Sequence, residues 1–157
     1  MTRIWIDADS CPKKVRTYTA KYAENHSLEI IFAANKPLID LNGYAKMVIC
    51  SKEKDAADDY IYYNASAGDI VITRDIILAE RLVSKGIAVI NDRGTAFTKD
   101  NIKNRLADSA LNLQLAQIGL GGASKSCYTN KNFDAFIKCF HKEIKNLNSL
   151  NVEFWKY

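Results

Sequence analysis

Short apolar runs alternate with segments of helical period along this chain, and aspartates stand at the ends of two of the runs. Ile4-Trp5-Ile6 leads into Asp7 and Asp9, and Ile70-Val71-Ile72 leads through Thr73 and Arg74 into Asp75. Residues 28–34, 45–50 and 87–90 form three more runs. Runs this short, rich in β-branched residues and bounded by turn formers, read as buried strands. Helical spacing fills the intervals: Val15, Tyr18, Thr19 and Tyr22; then Ala56, Ala57, Tyr60 and Ile61 within 55–63; then 76–85, closed by Gly86 in the C-cap role. Ser10 is expected to cap the first helix and Pro12 to occupy its first turn, where a missing N–H costs nothing. Two further helices, about 99–118 and 131–148, flank Gly119-Leu120-Gly121-Gly122, read as a flexible link. Strands alternating with helices require crossover connections, which are right-handed, so the expected class is α/β with a mainly parallel sheet of about five strands.

A length of 157 residues suits one domain, taken as 1–157 with a helical C-terminal portion from about 98. No run of about 18 apolar residues is present, so no membrane-spanning helix and no membrane partner are expected. The N-terminus enters a strand-like run at once and lacks the apolar segment of a signal peptide, which makes a cytoplasmic location the expectation. Cys11, Cys50, Cys127 and Cys139 form no C-x-x-C pair; they are expected to be reduced thiols rather than a zinc cluster or a disulfide framework. Residues 1–97 carry 13 basic and 13 acidic side chains, whereas residues 98–157 carry 9 and 5 and so hold the whole net charge of +4. A basic tail half beside an acidic cluster can steer a polyanion, although a solvated helix with a few extra lysines gives the same count.

Six carboxylates are the candidate chemistry. In parallel sheets, ligands collect at the carboxyl ends of the strands. Asp7 and Asp9, two residues apart, face one side if the strand continues that far; otherwise Asp9 serves as a capping acid favoured by the helix dipole. Asp55, Asp58 and Asp59 open a helix at spacings that crowd like charges. A cation would relieve that crowding, and so would ion pairs with Lys52, Lys54 or Arg74. Asp75 follows a strand and starts a helix, which either it or Thr73 can cap. Acids delivered from three separated segments suit a hard divalent cation, Mg2+ or Mn2+. Such ions neutralise phosphate charge and activate water, and a two-ion site needs about four carboxylates to hold it. His26 and His141 show no paired motif and read as surface or packing residues. Cys11 precedes a helix, but Asp7 and Asp9 would raise its pKa and no histidine partner is evident, which disfavours it as a nucleophile.

The string Ile4-Trp5-Ile6-Asp7-Ala8-Asp9-Ser10-Cys11-Pro12 resembles the opening motif of the uncharacterised bacterial YaiI/YqxD family. Asp55-Ala56-Ala57-Asp58-Asp59-Tyr60-Ile61 and the stretch from Gly68 to Ala79 agree with it, as do Gly86, Arg93-Gly94 and Asn101-Ile102. The resemblance spans about residues 3–122. Asp92 stands where a proline is usual, and Ala123-Ser124 and Asn130-Lys131-Asn132 also depart from the family's pattern. The family is grouped with PIN-like folds, whose relatives include metal-dependent ribonucleases. The resemblance therefore implies a three-layer α/β/α sandwich and a site of Asp7, Asp9, Asp55, Asp58 and Asp75, with the choice between Asp58 and Asp59 open.

These readings converge on a metal-dependent phosphodiesterase, first of all a ribonuclease. In that reading Asp7, Asp9, Asp58 and Asp75 hold Mg2+ or Mn2+, and Asp55 or Asp59 assists. Thr73 binds a phosphate oxygen or an ion's water, and Arg74, Arg93 and the basic tail contact the RNA backbone. The rivals are a non-catalytic RNA- or protein-binding module that keeps the fold and the acidic pocket, and a phosphatase for small phosphoesters. An aspartyl-nucleophile motif for the latter is not evident. The sequence fixes no oligomeric state.

Overall fold

The computed structural model describes residues 2–38, 42–53, 55–119 and 127–155, with side chains as far as Ser149. Its strands are β1 (Arg3–Asp7), β2 (Glu29–Ala34), β3 (Lys46–Ile49), β4 (Ile70–Ile72), β5 (Ala88–Ile90) and β6 (Ala96–Phe97). Its helices are α1 (Lys13–Asn25), α2 (Ala56–Asn64), α3 (Ile76–Ser84), α4 (Lys99–Gln117) and α5 (Asn130–Trp155). The strands lie in the order β3-β2-β1-β4-β5-β6; all neighbours are parallel except β5 and β6. β6 is the sixth strand, beyond the five that the apolar runs mark. Two residues give no alternation to read, and the strand exists because the turn after β5 folds Ala96 and Phe97 back onto Ile90 and Val89.

Strand alternation splits the core into two layers. Ile4, Ile6, Ile30, Phe32, Ile70, Ile72 and Ile90 face α1 and α5, packing with Val15, Ala20, Phe136, Phe140 and Ile144. Trp5, Ile31, Ala33, Val71 and Val89 face the other way, toward Ile61 of α2, Leu78 and Leu82 of α3 and Ile102 of α4. The result is a three-layer α/β/α sandwich whose strands are apolar on both faces, as a parallel sheet covered on both sides demands. Among the described residues, no helix is long and apolar enough to cross a membrane.

Helix boundaries follow the local chemistry, with one difference. α1 starts after Pro12, which occupies the N-cap position without a side-chain cap, while Ser10 ends a 3-10 turn over Ala8–Ser10. Ser10 therefore does not cap α1, because the extra turn puts it too early. α3 is capped by Asp75, whose Oδ1 accepts from the N–H groups of Ile77 and Leu78, and it closes onto Gly86 at φ +78°. α5 runs longer than its expected 131–148. Of the link expected to be flexible, Gly119 ends the described segment and Leu120 to Gly122 lie outside it.

A candidate metal centre at the carboxyl ends of the strands

The carboxyl ends of β1, β2 and β4 open onto a cleft of about 330 Å3 lined by Asp7, Asp9, Ser10, Asn35, Asp55, Ala57, Asp58, Arg74 and Asp75. Five of the six expected carboxylates share it. Asp7 is the last residue of β1 and is buried. Asp9 reaches the cleft through the 3-10 turn rather than by strand alternation. Both its carboxylate oxygens accept from the backbone N–H of Asn35, at 3.2 and 3.0 Å, just past the end of β2. Asp75 arrives from the end of β4 and caps α3 with one oxygen.

Asp55 and Asp58 come from the start of α2. Asp55 stands at the N-cap with φ +65°, a left-handed conformation that aspartate tolerates better than most residues, yet its carboxylate caps nothing. One oxygen from each of Asp55, Asp58 and Asp75 lies within 4.8 Å of the others. Asp59 is not among them. Adjacent helical residues point about 100° apart, and Asp59 instead pairs with Arg81 of α3 at 3.0 Å. In this arrangement Asp58, rather than Asp59, stands with Asp55 and Asp75.

Crowding shows in the protonation of the group. Burial pushes the Asp58 carboxyl up to about 8, helped by its hydrogen bond with Asp75 and by the charges of Asp7, Asp75 and Asp55. Asp7 is also raised, first by burial and then by Asp9 and Asp75, against the lowering effect of a hydrogen bond from Thr73. Burial and the neighbouring charges thus favour the protonated form of Asp58 within this group.

Thr73 is buried against two of the acids. It is 2% exposed, its hydroxyl donates to Asp7 Oδ2 at 2.9 Å and it accepts from the Asp75 N–H at 3.0 Å. The hydroxyl thus positions two of the acids, Asp7 and Asp75. Arg74 borders the cleft, but its guanidinium is held by Asp92, with Nε 2.7 Å from Oδ2. It is thus not the counter-ion of the acidic group. Arg93 lies outside the acidic cleft and lines the neighbouring one. Lys54 lies outside the described residues.

Asn35 carried no signal as a site residue, because in sequence it reads only as a strand breaker. In the fold its N–H holds Asp9, and its side-chain Oδ1 is buried without a hydrogen-bond partner while the residue lines the cleft. An orphaned carbonyl oxygen beside five carboxylates makes an all-oxygen donor set, the kind that fits Mg2+ or Mn2+. Cys11 is buried, and its thiol is driven far up by burial and by Asp92, so it is no nucleophile. All four cysteines are free thiols.

Together the fold and the cleft define an α/β/α sandwich protein with a crowded carboxylate site at the carboxyl ends of its central strands. Residues 5–146 match the profile described as an uncharacterised YaiI/YqxD family, and the chain belongs to that family. It is 45% identical to a UPF0178 protein of Treponema denticola over 134 residues, 85% of this chain and 86% of the relative. It is 34% identical to a UPF0178 protein of Pseudomonas entomophila over 146 residues, 92% and 97% of the two chains. A third relative, from Ectopseudomonas mendocina, shares 33% identity over 147 residues, 93% and 99% of the two. No solved structure matches the chain.

Proposed function

We propose that this chain is a metal-dependent phosphodiesterase, with RNA as its first substrate. The observation that carries the reading is the convergence of Asp55, Asp58 and Asp75, with Asp7 and Asp9 in the same cleft, on separate elements of a sheet whose helices could have placed them apart. Asp7, Asp9, Asp58 and Asp75 would hold Mg2+ or Mn2+, with Asp55 and the orphaned Asn35 Oδ1 completing the oxygen set. The bound ion would supply charge neutralisation at the phosphate and a lowered pKa for the attacking water. The chain's own contribution is placement. Thr73 fixes Asp7 against Asp75, the Asn35 N–H fixes Asp9, and the left-handed Asp55 leaves its carboxylate free of capping duty. The Asp58 carboxyl, which burial and the neighbouring acids push up, would lose its proton on loading.

The test is cleavage of single-stranded RNA with Mn2+, alongside calorimetric titration of Mn2+ into the protein. Asp9→Asn keeps an acceptor for the Asn35 N–H, so its fold should persist while Mn2+-stimulated cleavage drops by about two orders of magnitude, the scale of losing one group that stabilises the transition state. Unchanged cleavage by that variant sinks the assignment. Manganese binding without turnover of RNA or DNA by the wild-type chain sinks the enzymatic reading and leaves a binding module.

A further inference from the structure

Arg74 stands between two clefts, with carboxylates on both sides of it. One is the acidic cleft, whose lining holds five of them; among the described residues of that lining, Arg74 is the only cation. The other has a volume of about 210 Å3, and Arg74 borders it together with Asn91, Asp92, Phe97 and Arg105. Asp92 is the only carboxylate among the described residues of this second lining. Arg74 pairs with that single acid and leaves the five alone: Asp92 Oδ2 accepts from Nε and from a terminal nitrogen of the guanidinium.

Depth explains the preference. Asp92 is 2% exposed, and its Oδ1 is buried without a hydrogen-bond partner. A carboxylate so far from water is costly without a cation, and the attraction is strongest where the dielectric is low. Asp55 is exposed and Asp58 and Asp75 are partly buried, so water weakens their pull. The Asp92 side of the pair is also fixed. The Thr73 N–H donates to the Ile90 carbonyl at 3.1 Å, tying the end of β4 to the end of β5 just before the two partners. The Asp92 carbonyl accepts from the Tyr128 hydroxyl. Asn91 Oδ1 accepts from the N–H groups of Arg93 and Thr95 at 3.0 and 2.9 Å, closing the turn around Asp92. Gly94 in that turn has φ +88°, and a Cβ there would come within 2.6 Å of the Ala135 carbonyl oxygen, so the turn is seated against α5. The movable partner is Arg74, whose side chain is 42% exposed.

We propose that Asp92 is a positioning residue for the acidic cleft: it clasps Arg74 away from the five carboxylates and so keeps them open to a divalent cation. The inference rests on the metal-binding part of the reading above and not on the substrate. An arginine next to Asp75 in the chain, on the rim of a crowded acidic cleft, is a built-in competitor for the ion. Its charge neutralises the acids, and its planar fork engages two carboxylate oxygens at once. Released from Asp92, the carboxylates left along its borders are those of the acidic cleft.

The experiment is calorimetric titration of Mn2+ into the full chain, with no turnover involved. Asp92→Ala should bind Mn2+ about tenfold or more weakly, the scale of losing a group that supports a metal site from behind its ligands. Arg74→Gln/Asp92→Ala should return to near the wild-type affinity, because the competitor is gone along with its clasp. A merely structural role for Asp92 predicts the reverse, a second deletion that compounds the first. Asp92→Asn keeps the shape and an acceptor but not the charge; its affinity should fall between, and it carries the test where the alanine variant does not fold. The loss should persist at about 1 M salt, where exposed charges act over only about 3 Å, since an arginine seated among the acids is screened little. Wild-type affinity in both Asp92 variants overturns the clasp, as does a double variant no better than Asp92→Ala or a loss that vanishes at high salt. In each of those cases the wild-type chain still binds manganese and the metal reading stands. A wild-type chain that binds no manganese removes that reading, and the clasp with it.

Discussion

Buried aspartates sit at both ends of this sheet, and their surroundings are opposite. At the end where the strands begin, Asp69 accepts from the Arg3 N–H at 3.1 Å, the Trp5 indole N–H at 3.0 Å and the Ser66 N–H at 2.9 Å, and it pairs with the Arg3 guanidinium at 3.0 Å. Its carboxylate is saturated with donors, which is how a buried charge becomes a fastening between β1 and the turn before β4. At the end where the strands finish, Asp7 receives one hydroxyl proton from Thr73, and Asp58 shares a hydrogen bond with another acid. Asp69 and Asp7 are alike in type and depth; the supply of donors differs. An aspartate with enough donors is part of the scaffold, whereas a group with too few is balanced by a proton or by a cation.

The comparison breaks most visibly at Asp69. Asp69→Ala leaves the Trp5 indole, two backbone N–H groups and the Arg3 charge without their acceptor. The cost should be about 3 kcal/mol, toward the low end for breaking a buried pair because Arg3 is partly exposed. At roughly 2–4 °C per kcal/mol for a chain of this size, the melting temperature should fall by about 6–12 °C. Asp9→Asn at the other end should shift it far less while cutting metal-stimulated cleavage by about two orders of magnitude. A calorimetric scan of both variants that finds equal destabilisation would show the two ends to be energetically the same.

A smaller effect sharpens the contrast through pH. The Asp58 carboxyl is raised to about 8 in the folded chain from an ordinary value near 3.8, so folding favours its protonated form. That stabilisation is fully present below the ordinary value and is lost as pH rises through the folded one. The raised Asp7 acts in the same direction. In EDTA the melting temperature should therefore drift down by a few degrees from about pH 5 to about pH 9, and Asp58→Asn should remove most of the drift. Manganese binds the deprotonated carboxylates, so the stabilisation it confers should grow over the same window. A metal-free melting temperature that rises toward pH 9, or an Asp58→Asn variant with an undiminished drift, contradicts the crowding described here.

Much of this architecture is legible in the chain, for a physical reason. Parallel strands covered on both faces must be apolar throughout, so Ile4-Trp5-Ile6 and Ile70-Val71-Ile72 stand out, and the acids that follow them are marked by position alone. β6 is not legible, because Ala96 and Phe97 are a strand only by virtue of pairing with β5. The gathering of acids is legible as a group, but not its members. Choosing Asp58 over Asp59 requires the rotational phase of α2, which the left-handed Asp55 sets. Asp9 reaches the cleft through a turn that its spacing from Asp7 does not reveal. Thr73 reads as a polar residue at a strand end, and only the fold shows that its hydroxyl bridges Asp7 and the Asp75 N–H. Arg105 gives no signal at all: it is one cation on a polar helix until the packing of α4 brings it beside Arg74 and Arg93.

The smallest effect belongs to the pair of neighbours that the fold separates. Asp59 is half exposed and pairs with Arg81, itself about a third exposed and stacked on Tyr62 at 4.0 Å. An ion pair this open to solvent contributes about 0–1 kcal/mol and weakens with salt. Asp59→Asn should therefore lower stability by less than about 1 kcal/mol, with the deficit vanishing at high salt. Cleavage and manganese binding should be unchanged, because Arg81 keeps its place on Tyr62 and α2 keeps its phase. Asp58→Asn, one residue away, should lose manganese affinity and gain metal-free stability above neutral pH. If titration calorimetry instead finds the two variants equally impaired in binding manganese, Asp59 turns inward on loading, and the donor set must include both.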